Sequence, residues 1–270
     1  MTPATLDRQA AQFHRDGYLP GPIVLAGERL TAAREAVDGI ISDRCQHASE
    51  LLVFRRDRAA PNAQVHVVGS WRAEPALRDL AFDPVIVRLV CRLIGAPSVR
   101  LFRDQLFVKA PRSGTTVPWH QDYSDWTHTT PPCHVTCWVA LDDASEANGC
   151  LSYVPGSHRG PLLPKITPRD DMASAFARLP APLRATFAPQ SVPVPAGGCV
   201  LHHCLTVHGS PGNDTATVRR AVAITYIHPD TRCLTSTRAP LPGVAPVPAG
   251  ARLEGELFPE LRAPELRAEE

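Results

Sequence analysis

From Val99 onward the chain is written in short alternating runs, and this texture limits the possible fold more than any other feature. The runs are Arg100 to Lys109, Val117 to Asp122, His134 to Leu141, Leu151 to Val154, Gly198 to Gly209 and Val218 to His228. Alternation with period 2 marks strands that bury one face. Turn residues separate the runs, Asn148-Gly149 and Pro155-Gly156-Ser157 among them. Upstream the period is helical. Thr5 to Asp16 places Leu6, Ala10 and Phe13 near one face, and Glu28 to Ser42 spaces Leu30, Ala33, Val37 and Ile40 as one stripe. Asp83 to Leu93 gives a third helix, ended by Gly95 and Pro97. Gly17 to Pro22 reads as a break before a strand at Ile23-Val24-Leu25, residues 43–64 as irregular, and Gln64 to Val68 as a strand. Helices first and strands later predict a mainly β fold, an antiparallel sandwich or jelly roll buttressed on one face by N-terminal helices.

The whole chain, 1–270, is expected to form a single domain with its core over about 10–230. Residues 160–190 form a Pro- and Arg-containing insertion, weakly helical around Asp171 to Leu179, of a length often used as a lid. Residues 234–270 are a Pro/Ala-rich tail that wraps the domain or stays mobile. A net charge of +1 without a basic block argues against a nucleic-acid partner. Without a signal pattern or a long apolar run, no membrane association is expected and the reading is cytoplasmic. Eight scattered cysteines with no CxxC pair read as free thiols.

The chemistry centres on Pro118-Trp119-His120-Gln121-Asp122-Tyr123. If this is a strand, His120 and Asp122 share a face. With one distant His they would complete the 2-His-1-carboxylate set that holds non-haem Fe(II). A lone His-x-Asp arises by chance in many chains, so the partners carry the argument. Gly198 to Ser210 offers His202, His203 and His208. Strand parity puts His202 and His208 on one face if no bulge intervenes, and leaves His203 packed on the other. Eleven residues after His208 comes Arg219, whose planar fork can grip a carboxylate bidentately. Its neighbour Arg220 must face the opposite way.

With these residues in place the chain resembles the phytanoyl-CoA dioxygenase family of Fe(II)/2-oxoglutarate oxygenases. The matching stretches are PWHQD at 118–122, CWVALDDASEANGCLSYVPGSHRG at 137–160, HHCLTVHGSPGN at 202–213, VRRA at 218–221 and FHRDGYL at 13–19. The resemblance implies a double-stranded β-helix, a cupin-like jelly-roll variant. It implies iron ligands His120, Asp122 and His208. Arg219 and Ser210 would hold the far carboxylate of 2-oxoglutarate, Trp138 would line that pocket, and Leu106 would fall at a further cosubstrate contact. The family's basic contact near residue 66 has no clear counterpart. The implied activity uses Fe(II), 2-oxoglutarate and O2 to hydroxylate a small organic molecule, with succinate and CO2 as co-products. Asp122 argues against halogenation, which needs the carboxylate position vacated.

Other polar residues have simpler readings. Asp142 and Asp143 read as a solvated turn, His158 as fixing a turn, and His134 as facing either way. His202 is permitted near the metal, although the triad is complete without it. Tyr123, Asp125, Trp126 and His128 follow the metal motif and are expected to rim the mouth, where they suit a small ring-bearing or amine-bearing substrate; Trp126 could instead pack the loop. No basic cluster suits a CoA phosphate, which favours natural-product tailoring over acyl-CoA hydroxylation. Desaturation or cyclisation would use the same ligands. A metal-free binding module and a zinc hydrolase are the rivals, and Arg219 speaks against the second.

Overall fold

The longer helices lie in the N-terminal third and most of the strands in the remainder. In the computed structural model, which describes residues 2–55, 66–167 and 170–263, α1 (Pro3–Asp16) leads into β1 (Tyr18–Ile23) and α2 (Gly27–Ile41). A short hairpin, β2 (Val53–Arg55) and β3 (His66–Val68), precedes α3 (Ser70–Ala73), α4 (Pro75–Ala81) and α5 (Pro84–Ile94). The α5 boundaries follow from its ends. The Asp83 carboxylate accepts from the Val85 and Ile86 amides, Pro84 occupies the first turn, and Gly95 closes the helix at φ 78°.

The long strand β4 (Ser98–Lys109) comes next, then β5 (Val117–His120), β6 (Thr129–Thr130), β7 (Val135–Ala140) and β8 (Leu151–Tyr153). Two short helices, α6 (Met172–Ala177) and α7 (Ala181–Ala185), sit in the 160–190 insertion. The chain closes with β9 (Gln190–Val192), β10 (Gly198–His203), β11 (His208–Ser210), β12 (Arg219–Ile227), β13 (Arg232–Cys233) and β14 (Glu260–Arg262). The major sheet runs β1-β10-β7-β12-β4-β3-β2, with β14 also on β4. The minor sheet runs β5-β11-β8-β9. Every pairing is antiparallel. This is the jelly-roll architecture expected, with helices on the outer face of the larger sheet.

Strand parity sorts the core. Val135, Cys137 and Val139 of β7, with Leu101 and Leu106 of β4 and Val222, Ile224 and Tyr226 of β12, pack outward against α1, α2, α4 and α5. Each fully buried aliphatic side chain there contributes about 1.5–3 kcal/mol. The alternate residues, Trp138, Ala140, Ala221, Ala223 and Val200, face inward with Tyr153 of the minor sheet. The buried Asp104 carboxylate faces the helices and accepts from the Gly69 and Trp71 amides and the Ser70 hydroxyl.

Several expectations change. Gly17 to Pro22, read as a break, carries most of the strand Tyr18–Ile23, while Val24 and Leu25, read as strand with Ile23, do not continue it. It survives Pro20 and Pro22 because it lies at the sheet edge, where a missing N–H costs no ladder bond. Gly198 to Gly209 is not one strand. A turn at 204–206 carries the chain from the major to the minor sheet. That turn packs on Gly17 (φ 82°), whose carbonyl accepts from the Thr206 hydroxyl at 2.6 Å. Part of the tail is tied down: β14 pairs with β4, and Leu241, Leu253 and Phe258 are buried with Phe102 and Trp126. Gln64, Val65 and 264–270 lie outside the described residues. All eight cysteines are free. Among the described residues no helix is long and apolar enough to cross a membrane.

Candidate metal centre and anion pocket

The antiparallel pairing of β5 with β11 sets His120 directly opposite His208. Asp122 is not on the strand: β5 ends at His120, and Asp122 opens a 3-10 turn over Asp122–Asp125. That turn, rather than i, i+2 parity, swings the carboxylate inward. Asp122 Oδ1 lies 3.6 Å from His120 Nε2 and 3.8 Å from His208 Nε2. The ligand atoms of the three residues all lie within 4.8 Å of one another.

The surrounding bonds orient these atoms for a metal. His120 Nδ1 faces the Pro118 carbonyl at 2.8 Å, and His208 Nδ1 faces the Thr206 carbonyl at 2.9 Å. A carbonyl only accepts, so each Nδ1 carries the proton and each Nε2 offers a lone pair inward. The Asp122 oxygens are divided. Oδ2 accepts from Thr136 Oγ1 at 3.1 Å and from His202 Nε2 at 3.1 Å. Oδ1 is left toward the two imidazoles. Burial pulls His208 well below the usual histidine range, helped by His120 and His202, and so keeps it neutral. Burial would raise Asp122, but the bonds and charges of His120, His202 and His208 outweigh it and hold the carboxyl well below its usual range. An N2O donor set of this kind suits a non-haem iron ion with open positions.

Inner-face residues of the major sheet stand in rows. One row runs Tyr18, His202, Thr136, Thr225 and Arg103, level with Asp122. The next is Val200, Trp138, Ala223 and Gln105, followed by Ala140, Ala221 and Phe107, and then Arg219 opposite Lys109. Successive rows are about 6.8 Å apart. The Arg219 guanidinium nevertheless lies 5.3 Å from the Trp138 ring centroid, so the two side chains meet across the intervening row. The small side chains Ala140 and Ala221 occupy that row, and Ala223 lies beside Trp138.

Arg219 is 2% exposed and donates to the Gly149 carbonyl at 3.2 Å, but its buried Nη1 has no partner among the described residues. Lys109 Nζ donates to Ser210 Oγ at 2.8 Å and to the Pro211 carbonyl. Ser210 in turn donates to the Gly149 carbonyl at 2.7 Å. Burial lowers Lys109 to about 7, with Arg219 adding to the effect. A buried guanidinium with an orphaned donor, beside a buried lysine, is a donor set that suits an anion.

The structure therefore brings together His120, Asp122, His208, Arg219, Ser210 and Trp138. It does not bring Leu106. That side chain is fully buried against the helices, because parity aims Gln105 and Phe107 inward instead. Three of the four expected rim residues are packed rather than open. The Tyr123 hydroxyl donates to the Thr129 carbonyl, and His128 Nε2 lies 3.2 Å from the Pro240 carbonyl. Trp126 sits edge-on to Phe102 and stacks on His134. Asp125 is partly exposed and pairs with Lys165 of the insertion. Asp142 is no solvated turn: it takes the outward-facing Arg220 through bonds of 2.8–2.9 Å and Arg34 at 3.3 Å. His203 packs against His158 and Phe13, and His158 ties its turn to the end of α1. The side chain at position 66 lies outside the described residues.

Sequence reasoning missed Lys109, Thr136, Gln105 and Arg103. The available signal was the polar inner parity of β4, Arg103, Gln105, Phe107 and Lys109, in a face that a simple sandwich would fill with apolar side chains.

A profile of the Phytanoyl-CoA dioxygenase (PhyH) family matches residues 13–221. The L-proline trans-4-hydroxylase of Streptomyces griseoviridis is 28% identical over 232 residues, covering 80% of this chain and 84% of that protein. The non-heme alpha ketoglutarate dependent epimerase SnoN from nogalamycin biosynthesis, solved with Fe3+, alpha ketoglutarate and nogalamycin RO, superposes with a TM-score of 0.78 at 30% identity, over 97% of this chain and 100% of that one. The carbocyclase SnoK from the same biosynthesis superposes with a TM-score of 0.75 at 28% identity, over 94% and 95%. The chain thus belongs to the phytanoyl-CoA dioxygenase family, and it is a non-haem iron, 2-oxoglutarate-dependent oxygenase.

Proposed function

We propose that this enzyme hydroxylates an unactivated carbon of a small organic molecule in natural-product tailoring, with one metal held by His120 Nε2, Asp122 Oδ1 and His208 Nε2. The observation that carries the reading is the pairing of that three-atom focus with the buried Nη1 of Arg219, which has no partner among the described residues. When bound, iron and 2-oxoglutarate supply the oxidising chemistry: 2-oxoglutarate leaves as succinate and CO2, and the other oxygen atom of O2 goes to the substrate.

The chain's own residues prepare that chemistry. Pro118 and Thr206 carbonyls fix the two imidazole tautomers. Thr136 and His202 hold Asp122 so that one oxygen stays free. Arg219 and the Ser210–Lys109 pair receive the far carboxylate, and Trp138 forms one wall. The insertion shields one side as a lid. Gln121 bonds the Leu163 amide and Pro161 carbonyl, and Ser124 bonds the Leu163 carbonyl, so the metal-bearing turn and the cover are tied together. We read 1–270 as one oxygenase domain acting in the cytoplasm.

The test is substrate-dependent succinate release on a panel that includes L-proline and polyketide glycosides. His120→Ala and Asp122→Ala should each abolish it; turnover surviving in either variant ends the proposal. A second reading is favoured by the likeness to an epimerase and a carbocyclase: hydrogen removal without hydroxyl transfer. Product mass separates them, since hydroxylation adds one oxygen atom, ring closure removes hydrogen and epimerisation changes nothing.

A further inference from the structure

Arg103 stands on the inner face of β4, in the row that holds Thr225, Thr136 and His202, and Thr136 donates to Asp122. It is therefore level with the metal ligands, two strands away from Thr136. Its guanidinium lies 5.8 Å from the Trp126 ring centroid and donates to the Gln105 side-chain oxygen. Among the described residues no carboxylate comes within 4 Å of it, although Asp122, Asp104 and Asp125 are near enough for their charges to act on it. The outward-facing Arg220 shows the ordinary outcome, gripped by Asp142 and Asp38.

Arg103 is only partly exposed, and a half-buried guanidinium without an ion-pair partner gains most from an anion that meets its planar fork. Gln105 is neutral and occupies one N–H of the fork, and an aromatic face contributes only a modest attraction. The charges within the barrel point the same way. Iron(II), Asp122 and a 2-oxoglutarate dianion leave one negative charge, which Arg219 alone would cancel and Lys109, once charged, would exceed. Asp125 is answered by Lys165. Arg103 adds to this positive excess, and it does so at the level of the reacting centre. Arg219 meets the Trp138 ring, whereas Arg103 meets the 122–128 loop through Trp126.

We infer that Arg103, steadied by Gln105 and Trp126, binds a carboxylate of the substrate, so that this enzyme acts on a small organic acid held by its anionic group beside the metal. This rests on the reading of His120, Asp122 and His208 as the iron site. A carboxylate is also present at the keto-acid end of 2-oxoglutarate, and the experiment separates the two sources.

The protein is loaded with Zn(II), which binds the same ligands but does not turn over. In the first arm 2-oxoglutarate binding is measured by calorimetry for wild type, Arg103→Gln, Arg103→Lys and Arg219→Gln. Arg103→Gln should stay within about 3-fold of wild type, while Arg219→Gln should lose at least roughly 10-fold. In the second arm the Zn(II)–2-oxoglutarate complex is screened by thermal shift against small acids, each beside its own primary amide. Acids should stabilise and amides should not. Arg103→Gln should weaken the acid hits at least roughly 10-fold, with Arg103→Lys keeping part of the effect. Amides that stabilise equally, a screen in which no acid stabilises, or acid hits that survive Arg103→Gln overturn the inference. Loss of 2-oxoglutarate itself in Arg103→Gln would give Arg103 to the cosubstrate and also overturn it. Failure of wild type to bind 2-oxoglutarate would instead defeat the underlying site reading.

Discussion

Replacing Lys109 by Met should weaken 2-oxoglutarate binding and flatten its dependence on pH. Lys109 is 3% exposed, and its ammonium touches Ser210 Oγ and the Pro211 carbonyl. Burial and the neighbouring Arg219 lower it from the ordinary 10.5 to about 7, while Cys150 pulls weakly the other way. A carboxylate arriving beside Arg219 favours the charged form. If it restores one to two of those lost units, the charged lysine contributes about 1.4–2.7 kcal/mol to binding, or roughly 10- to 100-fold in affinity. Wild-type affinity should therefore fall as pH rises above about 7, with proton uptake on binding, and Lys109→Met should show neither. Calorimetry of the Zn(II) protein from about pH 6 to 9, in two buffers of different ionisation heat, reads both. A keto acid lacking the far carboxylate is the control and should not distinguish the proteins. Without ligand the sign reverses. The unfolded chain binds the extra proton between about 7 and 10.5, so this group's contribution to stability rises with pH across that window. A wild-type affinity flat across the range, or a slope that survives in Lys109→Met, would refute the reasoning.

His202→Phe removes one of the two donors to Asp122 Oδ2 and should weaken Zn(II) binding about 10- to 100-fold in a chelator competition, with His202→Gln recovering part of the loss. Leu106→Ala should cost about 2–5 kcal/mol of stability in denaturant melts and leave 2-oxoglutarate affinity unchanged, because the side chain belongs to the helix-facing core. Gly17→Ala should destabilise by about 1–3 kcal/mol, read as a lower Tm: φ is 82° there, and an added Cβ would lie 2.4 Å from His158 Nδ1.

The sequence carried the fold class because period 2 and period 3.6 are both strong from Leu6 to Ile227. It misjudged Tyr18–Ile23, where two prolines mask a strand tolerated only because it is an edge. The three ligand candidates follow from spacing plus family resemblance, but a 3-10 turn rather than strand parity aims Asp122. Parity was also the tool that mattered and was not pressed on β4. Applied there, it moves Leu106 out of the pocket and puts Arg103, Gln105 and Lys109 in. The packed state of Tyr123, Trp126 and His128 was not legible, because it depends on Pro240, Leu241 and Phe258 folding back from far along the chain.

The most direct measurement is anomalous diffraction from a crystal loaded anaerobically with Fe(II) and 2-oxoglutarate. A single iron peak is expected at bonding distance from His120 Nε2, Asp122 Oδ1 and His208 Nε2, with the far carboxylate of the cosubstrate on Arg219 Nη1. Iron bound elsewhere, iron bound by His202 in place of one of the three, or a cosubstrate carboxylate remote from Arg219 would contradict it.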